Sequence, residues 1–523
     1  MSRPCLSRVP APSVATILFA VSLLGQPVTA QAQPAPLKGL DGYVKQAMAE
    51  WDVPGLSLAV VKDDSVVYAR GYGVREVGTD DPVDAHTLFA VGSTSKAFTA
   101  ALLGQLVDEG ELSWSDPVTN HLPWFQLQDP WVTRKLTVRD LLTHRSGLPR
   151  CDGLWYGTNY SREEILRRVR HCEPEFSFRS QFGYQNIMFL AAGGVAAEVA
   201  GERWDRLVEG RIFEPLGMDR SNTSIDSLDG TENVATPHAE IDGEVRPVPW
   251  RDLDNVGPAG SINSSAIEMA QWVRLHLNDG VYEGNRLLAD STVVEMHTPR
   301  MLREPNVLTP EDLFPSTHFT AYGLGWFLRD YQGRGVVWHG GAIDGMRATV
   351  GMIPEEGLGV VVLTNRGPDG LGGPLMWQVV DAYVGASETD WAAEYASVYD
   401  SLDRQEVKQE DKLREARAEN TSPSLELEAY EGTYRHDLYG DVEVSRGGEG
   451  LEIEVAGSYG GELEHWHHDT FRVVWNQPAM QAGSLEQELI TFHMDARGKP
   501  SVLEIARMGT FQAVDAGDDE KGG

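Results

Sequence analysis

Apolar and polar positions follow three rhythms along this chain, and the changes of rhythm mark its organisation. Val14 to Leu24 is an apolar run too short to span a bilayer. From Leu40 to Glu50 apolar residues recur every three to four positions, which predicts an amphipathic helix. Two apolar runs, Leu56 to Lys62 and Val66 to Gly71, flank Asp63-Asp64 and predict a hairpin. Leu88-Phe89-Ala90-Val91 is again strand-like, and beyond Gly92 the period becomes helical from Ala97 to Val107. Leu136 to Thr143, Glu163 to Arg170, Ile187 to Ala200 and Ser265 to Leu277 continue the helical pattern. Strand character returns at Gly335 to Trp338, Arg347 to Ile353 and Gly359 to Leu363, and a helix is predicted near Pro374 to Val384. Strands at both ends with helices between them predict one sheet assembled from the two ends, carrying a helical insertion.

Residues 388–422 turn polar, charged and helix-prone, as a helical linker does. Over 425–514 the rhythm is short alternation, at Gly432 to Arg435, Gly440 to Ser445, Leu451 to Val455, Thr470 to Trp475, Leu489 to Met494 and Ser501 to Arg507. Evenly spaced short strands of this kind predict a small all-β barrel. Residues 515–523 are acidic and glycine-rich, the composition of a disordered tail.

Composition adds compartment and partners. A chain of 523 residues exceeds what one core usually spans, so two domains are expected. Arg3 and Arg8 precede the first apolar run, and Val28-Thr29-Ala30 or Ala30-Gln31-Ala32 offers a small-residue cleavage pattern after it. Residues 1–32 therefore read as a secretory signal, with a periplasmic or secreted protein to follow. Cys5 has no lipobox around it, and no later run is apolar enough to insert stably in a membrane. Beyond the signal only Cys151 and Cys172 remain. An oxidising compartment permits a disulfide between them; two buried thiols are the other option. The net charge of −34 argues against nucleic acid and anionic membrane surfaces as partners.

The candidate chemistry begins at Ser93-Thr94-Ser95-Lys96. Residues three apart share a helix face, which brings the Lys96 stem beside the Ser93 hydroxyl. Burial would make Lys96 a neutral amine able to accept the serine proton, and the helix start favours developing negative charge. The same four residues also describe a capped helix with a solvated lysine. Partners for Ser93 occur downstream. Tyr184-Gln185-Asn186 offers a phenolate as general base, and an amide to hold a polar substrate group or the Lys96 ammonium. His339-Gly340-Gly341-Ala342 ends a strand at which a carbonyl can approach closely, and the Ala342 and Ser93 N–H groups make a candidate oxyanion hole.

The order Ser-x-x-Lys, Tyr-x-Asn, His-x-Gly resembles the class C β-lactamases, DD-peptidases and related esterases, the penicillin-recognising serine hydrolases of the peptidase S12 type. Leu136 to Pro149 is similar to a signature of that family, and Pro215-Leu216-Gly217-Met218 and Pro258-Ala259-Gly260 to later landmarks. The resemblance covers residues 38–385. It implies an α/β (α+β) fold, an antiparallel sheet flanked by helices with a helical subdomain. It assigns Ser93 as acylated nucleophile, Lys96 as activator, Tyr184 as base or proton shuttle, Asn186 as substrate contact and His339 as the third-motif residue, with Gly340, Gly341 and Ala342 beside the substrate. His144, in the signature, reads as structural, and Trp155 and Tyr156 as a rim.

One departure ranks the substrates. The family's β-lactamases usually carry Lys-Thr-Gly where this chain has His339-Gly340-Gly341, so a permanent cation for a β-lactam carboxylate is missing. A carboxylesterase or a D-amino-acid or DD-peptidase is therefore expected, acting on a small-molecule or peptide substrate through a Ser93 acyl-enzyme. The alternatives are a β-lactamase or a catalytically silent penicillin- or peptidoglycan-binding protein. No metal or organic cofactor is implied. The 425–514 region resembles a lipocalin-like domain appended to such hydrolases, through Tyr430 to Tyr434, Tyr439-Gly440 and Leu463 to Phe471. In a regular strand there, His465 and His467 would share a face and His468 point away, the arrangement of strand and turn residues rather than of a metal site.

Overall fold

An eight-stranded antiparallel sheet is the frame of the computed structural model, which describes residues 34–304, 313–368, 370–386, 389–448, 450–477, 489–506 and 508–514. The signal expected over 1–32 and the tail expected over 515–523 lie outside the described residues. The strands are β1 (Gly55–Lys62), β2 (Ser65–Gly73), β3 (Met301–Arg303), β4 (Thr320–Tyr322), β5 (Phe327–Tyr331), β6 (Arg334–Ile343), β7 (Met346–Ile353) and β8 (Leu358–Thr364). Their spatial order is β2-β1-β8-β7-β6-β5-β4-β3. The two ends of the catalytic region thus meet at the β1–β8 pair, with Leu56 opposite Thr364 and Val60 opposite Val360. This is the joined sheet the hydrophobic pattern predicts.

Both faces of the sheet are covered, which is why β1 is buried from Gly55 to Val61 and almost wholly apolar. The helices are α1 (Leu40–Glu50), α2 (Ser95–Asp108), α3 (Asn186–Ala200), α4 (Ala266–Leu277), α5 (Gly372–Val384) and α6 (Trp391–Ala416). Leu56, Leu58 and Val60 enter one core with Val44 of α1 and Trp377 of α5. Ala59 and Val61 enter the other, with Phe98 of α2, Phe189 of α3 and Trp272 of α4. Every residue of α2 from Ser95 to Leu106 is buried, so this helix is the hub of the second core.

Three expectations are corrected. The helix predicted over Leu136 to Thr143 shrinks to one turn, Val138–Leu141, because Asp140 is drawn into a capping box with Thr137 and into ion pairs with Arg145 and Arg179. The C-terminal region forms a closed eight-stranded barrel, two strands more than its alternation shows. The added strands are Tyr459–His467 and Gly509–Ala513. The first opens on Gly460 and Gly461, where an added Cβ would stand 2.4 Å from the Ile453 and Val474 carbonyls respectively. A bulge between His465 and His467 then breaks the expected alternation, placing Trp466 inside and engaging His465 Nε2 with the His468 carbonyl at 3.0 Å. Cys151 and Cys172 form a disulfide.

Candidate active site

The site is built where α2 begins. Gly92 carries φ +52°, and a Cβ there would stand 2.9 Å from the Ala342 nitrogen. A Cβ at Gly341 would fall 1.9 Å from the Val91 carbonyl oxygen. The two glycines let the chain ahead of α2 press against β6. That edge of β6 is open because β5 pairs only with Arg334 to Trp338, leaving His339 to Ile343 paired with β7 alone. Ser93, half-buried on the 3₁₀ turn Gly92–Thr94, faces a cavity of about 500 Å³ lined also by Tyr184, Asn186, Trp155, Arg303 and His339.

Lys96 is fully buried, and its Nζ meets three oxygens: Ser93 Oγ at 3.0 Å, Asn186 Oδ1 at 2.7 Å and the Ala259 carbonyl at 2.8 Å. Burial holds its pKa well below 10.5, and the nearby charge of Arg150 lowers it further. A neutral amine has two N–H donors and one lone pair. Its donors fit the two carbonyl oxygens, and its lone pair is left for the Ser93 hydroxyl proton. Asn186, the first residue of α3, therefore touches Lys96, one of the two options its motif offers.

Tyr184 hydrogen-bonds Ser93, yet burial pushes its hydroxyl up to about 12. Burial thus favours the neutral hydroxyl over the phenolate expected from the sequence. His144 packs its ring 4.2 Å from that of Tyr184 and accepts the Gln185 N–H at Nδ1, 3.0 Å away. It is a buried support for the Tyr-x-Asn turn. His339 Nδ1 donates to the Gly340 carbonyl at 2.7 Å, and Nε2 accepts the Tyr322 hydroxyl at 2.9 Å. Burial brings its pKa down to about 3. His339 lines the cavity as a neutral ring already occupied on both nitrogens.

Four contributors escape the sequence motifs. Ala259 supplies a backbone oxygen. Tyr322 fixes the His339 tautomer. Asp152 accepts from Asn186 Nδ2 at 3.2 Å. Arg303 lays its guanidinium 4.4 Å from the Phe327 ring centre and 4.8 Å from that of Phe182, with no ion-pair partner among the described residues. Of these only Ala259 lies in a segment the sequence marks, Pro258-Ala259-Gly260. Trp155 lines the cavity as expected, whereas Tyr156 turns its hydroxyl to Asp344 at 2.6 Å.

Known proteins resemble this chain. The Beta-lactamase family model matches residues 40–384, and a domain of unknown function (DUF3471) matches 416–517. A protein named unguisins hydrolase ungD from Aspergillus violaceofuscus is 30% identical over 441 residues, 78% of this chain and 76% of its own. Penicillin-binding protein 4 of Amycolatopsis lactamdurans is 29% identical over 328 residues, 61% of this chain and 82% of its own. The octameric penicillin-binding protein homologue from Pyrococcus abyssi superposes with a TM-score of 0.60 at 23% identity, over 91% of this chain and 99% of that one, a likeness of fold. With about two thirds of its length matched by the family model, the chain belongs to the Beta-lactamase family.

Proposed function

We propose that this protein is an exported serine hydrolase that cleaves an ester or amide through a Ser93 acyl-enzyme, as a carboxylesterase or D-amino-acid or DD-peptidase does. The observation that carries the reading is the acceptor set of Lys96, which leaves a neutral amine one lone pair and aims it at Ser93 Oγ. Ser93 Oγ attacks the carbonyl carbon while its proton passes to Lys96 Nζ. The carbonyl pair moves onto oxygen, beside the Ser93 and Ala342 N–H groups. Collapse expels the alcohol or amine, which takes the proton back from Lys96 by way of the Tyr184 hydroxyl. Water then cleaves the acyl-enzyme by the same steps in reverse order. The hydrolase named among the relatives supports the reaction class.

Arg303 favours a substrate with an acidic group, because a partly buried guanidinium on aromatic faces lacks a counter-charge among the described residues. The same residue supplies the cation missing at position 339, and so supports β-lactams as a second substrate class. Export is supported by the charge and hydropathy pattern of residues 1–32 and by the Cys151–Cys172 bond. Ser93→Ala is expected to abolish hydrolysis across a panel of p-nitrophenyl esters, D-aminoacyl amides, DD-peptides and nitrocefin, with an acyl adduct found by mass on Ser93 of the unaltered protein. Hydrolysis that survives Ser93→Ala refutes the proposal, and the preferred panel member separates peptidase, esterase and β-lactamase.

A further inference from the structure

Asp152 connects this site to the barrel. Its Oδ1 accepts from Asn186 Nδ2 at 3.2 Å and from Trp155 Nε1 at 2.9 Å, and its Oδ2 pairs with Arg150 Nε at 2.5 Å. By holding Nδ2, Asp152 turns Asn186 so that Oδ1 faces Lys96. The opposite amide orientation would set N–H donors against the N–H donors of Lys96, leaving both buried groups unsatisfied.

The loop that carries Asp152 is held from two sides. The disulfide ties its first residue, Cys151, to Cys172. The barrel covers its outer surface. A Cβ added at Gly153 would stand 3.2 Å from Met508 Cε and from Tyr439 Cε1, and one at Gly157 would stand 3.3 Å from Tyr459 Cδ1. Asn159 donates its backbone N–H to Ser458 Oγ at 3.0 Å and its Nδ2 to the Gly457 carbonyl at 3.1 Å. The Tyr160 hydroxyl donates to the Tyr439 carbonyl at 3.0 Å. All five barrel residues are sequence-distant from the site, so the contact is tertiary.

We propose that Asp152 is a positioning residue for Lys96, acting through Asn186, and that the barrel keeps it in place by clamping the 151–160 loop. The inference rests on the reading of Ser93 and Lys96 as the reacting pair. The barrel is then a working part of the catalytic unit. An unclamped loop would let Asn186 turn and Lys96 drift from Ser93, the kind of displacement that costs rate rather than substrate affinity.

The test uses the full chain and ester hydrolysis. Asp152→Ala is expected to lower kcat about 100-fold with KM little changed. Asp152→Asn keeps an oxygen for the Asn186 and Trp155 donors and recovers most of that rate. It also removes a negative charge that favours the Lys96 ammonium, so the acid limb of its kcat profile moves to lower pH. Asn159→Ala with Ser458→Ala loosens the clamp and lowers kcat in the otherwise unaltered chain, but adds no further loss to Asp152→Ala. Unchanged kcat and pH profile in Asp152→Ala, in a chain that Ser93→Ala inactivates, overturn this inference alone. Equal losses from the clamp substitutions in both backgrounds, or none in the unaltered chain, overturn the part assigned to the barrel. Hydrolysis persisting in Ser93→Ala overturns the underlying reading instead.

Discussion

His339 Nε2 accepts the Tyr322 hydroxyl at 2.9 Å while His339 Nδ1 donates to the Gly340 carbonyl, so the ring is neutral and its tautomer is set. With its pKa brought down to about 3, His339 does not titrate where the protein would work. Lys96 does. It accepts the Ser93 proton only as a free amine, so kcat/KM should rise as pH climbs through a Lys96 pKa held well below 10.5 and then level off. His339→Gln leaves Tyr322 an acceptor and is expected to leave that acid limb in place. Tyr184, at about 12, adds no alkaline limb below that value. A limb that moves with substitution at 339 would show that His339, not Lys96, governs it.

Adjacent glycines of β6 should respond very differently to alanine. At Gly341 the new Cβ would lie 1.9 Å from the Val91 carbonyl oxygen, a backbone atom that no rotamer change can clear. Gly341→Ala must push β6 away from Ser93, at a cost of about 2–4 kcal/mol and about 100-fold in kcat. At Gly340 the nearest atom would be the Ala348 carbonyl oxygen, 3.8 Å away, so Gly340→Ala changes stability by less than about 0.5 kcal/mol. Thermal unfolding of the two variants, followed by circular dichroism, decides the matter; equal midpoints contradict the close approach.

Arg303 lines the cavity on the faces of Phe182 and Phe327, where it can read substrate charge. Arg303→Gln is expected to raise KM for substrates bearing a carboxylate by about tenfold and to leave neutral esters near their original KM, since one charge-assisted hydrogen bond contributes about 1.5–3 kcal/mol. Matched acid and methyl-ester substrates provide the comparison. A uniform rise in KM would assign Arg303 to packing on Phe182 and Phe327 instead.

The sequence carries the parts of the site that chain neighbours build. Ser93 and Lys96 lie one helical turn apart, and the Tyr184 and Asn186 motif sits at the helix start that hydropathy marks, whereas the strand expected to end at His339 runs on to Ile343. The parts built by long-range packing stay hidden. Arg303 ends a three-residue strand too short to show a period, and β5 hides because Arg329 and Asp330 interrupt its apolar run. Asp152 reaches Asn186 across 34 positions through a loop with no regular pattern, and nothing local distinguishes the Ala259 carbonyl from other backbone oxygens. The Tyr184 pKa is misjudged from sequence for a related reason. Its upward direction follows from burial by residues distant in the chain, which no local pattern records.

The Cys151–Cys172 disulfide joins stability to the same chemistry. It closes a segment with a sequence separation of 21, and constraint of the unfolded chain by such a loop contributes about 3 kcal/mol. Cys151→Ser with Cys172→Ser should therefore lower the denaturant midpoint, with the slope of the transition slightly steeper because the unfolded chain expands further. The activity effect is separate. Cys151 precedes Asp152 and sits in the left-handed region at φ 46°, so the bond anchors the backbone from which Asp152 reaches Asn186. The double variant is expected to lose kcat under conditions where it remains fully folded, and the unaltered protein should lose the same fraction when reduced. The Asp152→Ala chain, its amide contact already gone, should be insensitive to reductant in rate while still losing stability. Equal sensitivity of rate in both chains would show that the disulfide acts on the site by a route other than Asp152.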